Sequence, residues 1–150
     1  MLKTSHLPEL DLAPLAGRSA RPAAVARLLS GAIFVDFGLG KFYSHAHETA
    51  SFHRYGLPSP SALAYVIGVL EVVGGLLLLL GLAVRPVALA LAGDMVGAVS
   101  TAGRIDGGPI HLGLAPLLLV VMLALVWTGA GERSLDARLA AGLGLELESE

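Results

Sequence analysis

Residues Pro109–Gly131 read PIHLGLAPLLLVVMLALVWTGAG and contain no formal charge. Crossing a hydrocarbon core of about 30 Å takes about 20 mostly apolar residues at 1.5 Å rise each, and this stretch supplies them. Upstream, three further segments have the same character. Pro86–Gly103 is shorter and carries Asp94, and Pro60–Ala83 contains Glu71 and ends in the run Leu76–Leu80. Pro22–Tyr43 includes Arg27, Asp36 and Lys41. Each opens on a proline, tolerated in a first helical turn because its missing N–H has no partner there. Gly81, Gly103 and Gly129 lie near the ends, where helices commonly stop. The reading is an all-α, membrane-spanning antiparallel four-helix bundle. Val84–Arg85 and Arg104–Gly108 are tight links, and only the first loop, Ser44–Ser59, has room for structure of its own.

Composition agrees. The 150-residue chain is 55% hydrophobic and 15% charged, against about 25% charged in a soluble domain, and its mean hydropathy is +0.74. Only five formally charged residues, Glu71, Arg85, Asp94, Arg104 and Asp106, lie between Tyr55 and Gly131. A soluble globule of this size needs a more polar exterior, and disorder needs low hydrophobicity. A net charge of −2 gives no electrostatic footprint for nucleic acid. With no cysteine, the chain has no disulfide framework, thiol couple or cysteine-ligated metal of its own.

Three regions follow. Residues 1–21, broken by Pro8 and Pro14 and lacking an apolar core, read as a tail rather than a secretory signal. Residues 22–131 form the membrane domain. In residues 132–150, Ser134 can cap a short interfacial helix with Leu135 and Leu139 on one face. Basic residues near span ends favour the cytoplasmic side. With both termini inside, Lys3, Arg18, Arg21, Arg27, Arg85, Arg133 and Arg138 lie there, against Lys41, Arg54 and Arg104 outside. The expected location is a bacterial inner membrane, with the long loop facing outward.

Ionisable groups within spans are functional candidates because isolating one in hydrocarbon costs at least about 2.5–3.5 kcal/mol. Counted from the inner face, Asp36, Glu71 and Asp94 lie about 21, 18 and 12 Å up and Lys41 about 28 Å, depths that allow one shared interior site. Asp36 and Lys41, five residues apart, do not share a helix face, so Lys41 is expected to pair with Glu71 on another helix. Such groups serve as structural ion pairs fixing helix packing, as a proton or quinone head-group site, or as an ion path. Gly68 and Gly75 share a face with Glu71, and Gly93-x-x-x-Gly97 flanks Asp94; with Gly38 and Gly74, these are expected to let helices approach closely. His45, His47 and His53 in the first loop, with Arg104 and His111, are outer-face candidates. The histidine spacing fits no strong zinc motif, and no metal is assigned. No phosphate-binding loop, dinucleotide fingerprint or nucleophile elbow is present. Trp127, Tyr43 and Tyr55 read as interfacial aromatics.

Arg27-Leu-Leu-Ser-Gly31 followed by Gly38-Leu-Gly-Lys41-Phe resembles the first-helix pattern of the DoxX family of bacterial membrane proteins. Phe52 with Gly56-Leu-Pro58, Glu71-Val-Val-Gly74-Gly75-Leu with Leu79-Leu80-Gly81-Leu-Ala-Val-Arg85, and Gly129-Ala-Gly131-Glu-Arg-Ser134-Leu-Asp136 are also similar. The resemblance runs from about Arg27 to Asp136 and implies a four-helix inner-membrane protein. Some relatives are associated with thiosulfate:quinone oxidoreductases, others with thiol and superoxide defence. It implies a membrane subunit or partner of a quinone-linked or oxidative-stress redox system, with quinone as the candidate cofactor, rather than a stand-alone catalyst. Lacking cysteine, the chain departs from thiol-active members, so any thiol belongs to a partner enzyme. The alternatives are a non-catalytic membrane scaffold for such an enzyme, or a small-solute or proton pathway, which would require a homo-oligomer.

Overall fold

Four apolar segments punctuated by proline and glycine become four long helices. The computed structural model describes residues 20–131 and 134–139. Helix α1 (Ala20–Tyr43) is followed by α2 (His45–Arg54), α3 (Pro60–Leu80), α4 (Val84–Ser100), α5 (Ala102–Ile105) and α6 (Ala115–Thr128). Among the described residues, four helical segments, Arg21–Tyr43, Pro60–Leu80, Val84–Ile105 and Ile110–Thr128, are long and apolar enough to cross a membrane. Their outward faces are apolar: Val66, Val69, Val73 and Leu76 on α3 and Leu117, Val120 and Leu123 on α6 are exposed. Such a surface is unfavourable in water and matches lipid. The expected tail, residues 1–21, lies almost entirely outside the described residues.

Helix α1 packs chiefly on α3 and α4 on α6, with α3 against α4 joining the pairs. Lipid tails are as apolar as leucine, so association of membrane helices rests on close packing rather than on the hydrophobic effect. The α1–α3 seam shows it. A Cβ added to Gly75 would come 2.6 Å from the Gly31 carbonyl oxygen and 2.9 Å from the Val35 nitrogen. One on Gly38 would come 2.8 Å from the Val72 nitrogen and 2.9 Å from the Gly68 oxygen. The core, which includes Phe34, Leu78, Leu91, Met95, Leu118, Met122 and Leu125, runs between α1, α3, α4 and α6.

The α3–α4 link differs from the expected span boundary: α4 begins at Val84, two residues before Pro86. Pro86 is still in the first turn, where an N–H has no intrahelical partner. Gly81, at φ +71°, ends α3 in a Schellman arrangement. Its N–H donates to Leu78 O (3.1 Å) and that of Leu82 to Leu77 O (3.0 Å). The first amides of α4 are taken by a residue distant in sequence. Ala83 N–H donates to Asp136 Oδ1 (2.8 Å) and Val84 N–H to Asp136 Oδ2 (3.0 Å). Asp136 N–H returns a bond to Gly81 O (3.0 Å), and Arg27, 4% exposed on α1, attracts the same carboxylate. Ser134 Oγ accepts from Ala137 N–H at 3.1 Å; it caps the helical residues 135–139, which dock against this turn. Asp136→Ala removes a charged N-cap and is expected to destabilise the protein by about 0.5–2 kcal/mol. Detergent-denaturation curves of variant and wild type would check this.

Candidate intramembrane polar site

The last turn of α1 supplies Lys41, the middle of α3 supplies Glu71, and α4 supplies Asp94. Lys41 Nζ lies 2.6 Å from Glu71 Oε2, with side chains 15% and 3% exposed. The contact is a buried ion pair between an ammonium and a carboxylate. The Glu71 and Asp94 carboxyls interact electrostatically with each other, and both feel the Lys41 charge. Asp94 Oδ2 is buried without a hydrogen-bond partner among the described residues. Gly68, one turn before Glu71, makes this possible: a Cβ there would sit 3.3 Å from Lys41 Cβ and 3.1 Å from the Phe42 ring.

The cluster lines a cavity of about 430 Å³ whose walls come from α2, α3, α4 and α5, with Tyr55, Thr101, Asp106 and His111 toward its mouth. A second cavity, about 550 Å³, lies between α1 on one side and α4 and α6 on the other. The two share Lys41, Glu71, His47, Glu48, Ala98 and His111.

Asp36 does not join the cluster. It is exposed and lines only the second cavity, because a five-residue offset turns it about 140° from Lys41 around α1. Gly74 packs on Leu91 of α4, 3.2 Å from an added Cβ. Gly93 and Gly97 bring no helix close: a Cβ on either would meet nothing within 4 Å, and both line the first cavity. Gly38 packs on α3 as expected, and a second α1 glycine, Gly31, packs there too without having been expected to. Its spacing of seven from Gly38, two helical turns, was the available signal.

The loop histidines separate. His45 stacks on Tyr65, ring centroids 3.8 Å apart, and its Nε2 lies 3.0 Å from Ser61 Oγ and 3.3 Å from Thr49 Oγ1, pinning α2 to α3. His47 lines both cavities, whereas His53 and Arg104 are exposed and line neither. His111 Nδ1 lies 3.2 Å from Gly107 O. Among the described residues no three His, Asp or Glu side chains converge as a metal site.

At the mouth, Asp106 accepts hydrogen bonds from Arg54 Nη2 (3.2 Å) and the Tyr55 hydroxyl, clasping the end of α2 to the segment after α5. Tyr55 is therefore a cavity residue rather than an interfacial aromatic. The Tyr55 hydroxyl, with Arg54 beside it, holds the Asp106 carboxyl below the usual carboxylate range. Burial, reinforced by Asp106, pushes the Tyr55 phenol up. A lowered acid keeps its contribution above its unfolded pKa and loses it as pH falls through the folded one; a raised phenol does the reverse at high pH. The clasp is thus expected to persist from below about pH 4 to above about pH 10. In a Tyr43→Phe/Tyr65→Phe background, ultraviolet titration should show Tyr55 ionising above free tyrosine, and Asp106→Asn should move it back down.

Comparison with known proteins is decisive here. The sequence model of the DoxX family matches residues 23–104. The chain belongs to the DoxX family. This DoxX protein is 38% identical to the uncharacterized membrane protein Rv3486 of Mycobacterium tuberculosis, over 76% of this chain and 78% of the relative. It is 34% identical to a Bacillus subtilis protein named putative oxidoreductase CatD, over 73% of this chain and 81% of the relative. No solved structure matches it. It is a multi-pass membrane protein of a DoxX type, and Lys41, Glu71 and Asp94 all lie within the matched residues.

Proposed function

We propose that this DoxX protein is the membrane subunit of a redox system, in which Lys41, Glu71 and Asp94 bind the polar head of a quinone-class carbonyl and exchange a proton with it. One observation carries the reading: an ammonium and two carboxyls, on three different helices, line one cavity within the span. Two ionised carboxyls beside one ammonium would leave an uncompensated negative charge in the span, which one proton held by the pair removes. With that proton, the cluster is neutral overall beside the single Lys41 charge, which suits a low-dielectric interior.

The donor set fits such a head group. Lys41 has three N–H donors and spends one direction on Glu71, while Asp94 Oδ2 is buried without a hydrogen-bond partner among the described residues. Quinone, when bound, supplies two-electron, two-proton redox chemistry. The chain's own residues orient a carbonyl oxygen toward the Lys41 ammonium and hold the transferable proton between Glu71 and Asp94. Glu48, His47 and His111, which line the same cavity, carry protons between that pair and the mouth. A relative named as a putative oxidoreductase supports a redox role. Lacking cysteine, this chain would rely on a partner enzyme for any thiol and for the electrons. The excess of basic residues at the Gly81 end of the bundle supports a reading with both termini inside, in an inner membrane, and the cavity mouth outward.

Titration of purified protein in lipid nanodiscs with a short-chain, water-soluble benzoquinone tests this. Binding at least tenfold weaker in Glu71→Gln and Lys41→Met is expected; affinity equal to wild type in both would overturn it.

A further inference from the structure

The two cavities share Lys41, Glu71, His47, Glu48, Ala98 and His111 but differ in the rest of their walls. The first ends at polar groups, namely Tyr55, Thr101, Asp106 and His111, beside the loop segments. The second runs along the bundle between α1 and α6, a helix pair that touches only sparsely. Between α1 and α6 its walls are Phe37, Leu39, Met95, Ala115 and Leu118, and at the α2 end it adds Tyr43, Ser44, His47, Glu48 and His111. The exposed carboxylate of Asp36 stands in this crevice, and facing bare hydrocarbon it would cost about 2.5–3.5 kcal/mol. A crevice with an apolar stretch between α1 and α6, a carboxylate beside that stretch, and polar groups around the buried Lys41–Glu71 pair suits an occupant with a polar head and an apolar tail.

We infer that the site has two separate openings. A lipid-phase amphipath, with a hydrogen-bonding ring head and a hydrocarbon tail, reaches Lys41 and Glu71 sideways through the α1–α6 crevice, its head passing Asp36 and its tail lying along Phe37, Met95 and Leu118. Water and protons use the α2–α5 mouth. The identity of the head group rests on the proposed function; the existence of two openings does not.

Two glycines separate the routes. Gly97 lines only the first cavity and Gly40 only the second, and a Cβ on either meets nothing within 4 Å, so both positions accept a side chain. The chain has no cysteine, which gives a clean background for thiol labelling. In proteoliposomes with reagent on both sides, Gly97→Cys should react with a charged methanethiosulfonate at least tenfold faster than Gly40→Cys. Gly40→Cys should react with a lipid-partitioned maleimide. Equal rates with the charged reagent would mean a water-filled crevice, and no reaction of Gly40→Cys with the lipid reagent would mean a closed one; either overturns the inference. In a second measurement, Gly40→Leu should weaken binding of a long-tailed benzoquinone at least tenfold and leave the tail-less analogue within twofold. Equal loss for both compounds overturns the lateral route. If wild type binds neither quinone while the labelling pattern holds, the head-group reading fails and the two openings stand.

Discussion

Glu71→Gln combined with Asp94→Asn is expected to destabilise the protein by about 3–5 kcal/mol, the cost of leaving a buried charge without its partner. Either substitution alone is expected to cost only about 0.6–1.7 kcal/mol, the range of single interhelical polar contacts in membranes. The difference follows from the cluster's redundancy. Lys41 is held by Glu71 at 2.6 Å and is also attracted by Asp94, so one carboxyl replaces the other as counter-charge. With both gone, a lysine side chain only 15% exposed has no anion beside it. Adding Lys41→Met should recover most of the loss, since apolar replacement of a complete buried ion cluster is often near neutral. Reversible unfolding in mixed micelles, measured across this mutant cycle, reads the effect as non-additivity. Strictly additive losses would show that the three groups do not act as a unit.

Gly75→Val should be as damaging without touching any charge. Its first added atom would fall 2.6 Å from the Gly31 oxygen and 2.9 Å from the Val35 nitrogen, both backbone atoms that cannot rotate away. Helix α1 must move off α3, at an overpacking cost of about 3 kcal/mol, the upper end for small-to-large changes. That displacement also carries Lys41 away from Glu71, so quinone-analogue binding should fall together with stability. Gly93→Ala and Gly97→Ala are the controls. Their added methyls meet nothing within 4 Å, and alanine is the better helix former by about 1 kcal/mol, so both should fold at least as stably as wild type. Thermal unfolding monitored by circular dichroism separates the two classes.

The four spans are legible in the sequence because length and continuous apolarity are local properties, read within one helix. The Lys41–Glu71 pairing is also expected from sequence, since Asp36 and Lys41 cannot share a face. The role of Gly93 and Gly97 is not legible. Two glycines four apart look the same whether they admit a neighbouring helix or leave a cavity, and only the position of the surrounding helices distinguishes these. Asp136 is a similar case. Ser134 announces a local helix start, but nothing in that segment says that the next carboxylate caps α4, more than 50 residues away.

By itself, the sequence determines that this is a four-span membrane protein of the DoxX type and that its few intramembrane charges need partners. Which charges meet is decided by the rotation of each helix about its axis, and the α1–α3 glycine seam sets that rotation. Measured from Gly38 around α1, Gly31 lies about 20° away, Lys41 about 60° and Asp36 about 160°. Backbone contact along Gly31 and Gly38 therefore turns Lys41 toward Glu71 and leaves Asp36 in the crevice. No single helix contains that information, because rotation has meaning only relative to the neighbour it packs against.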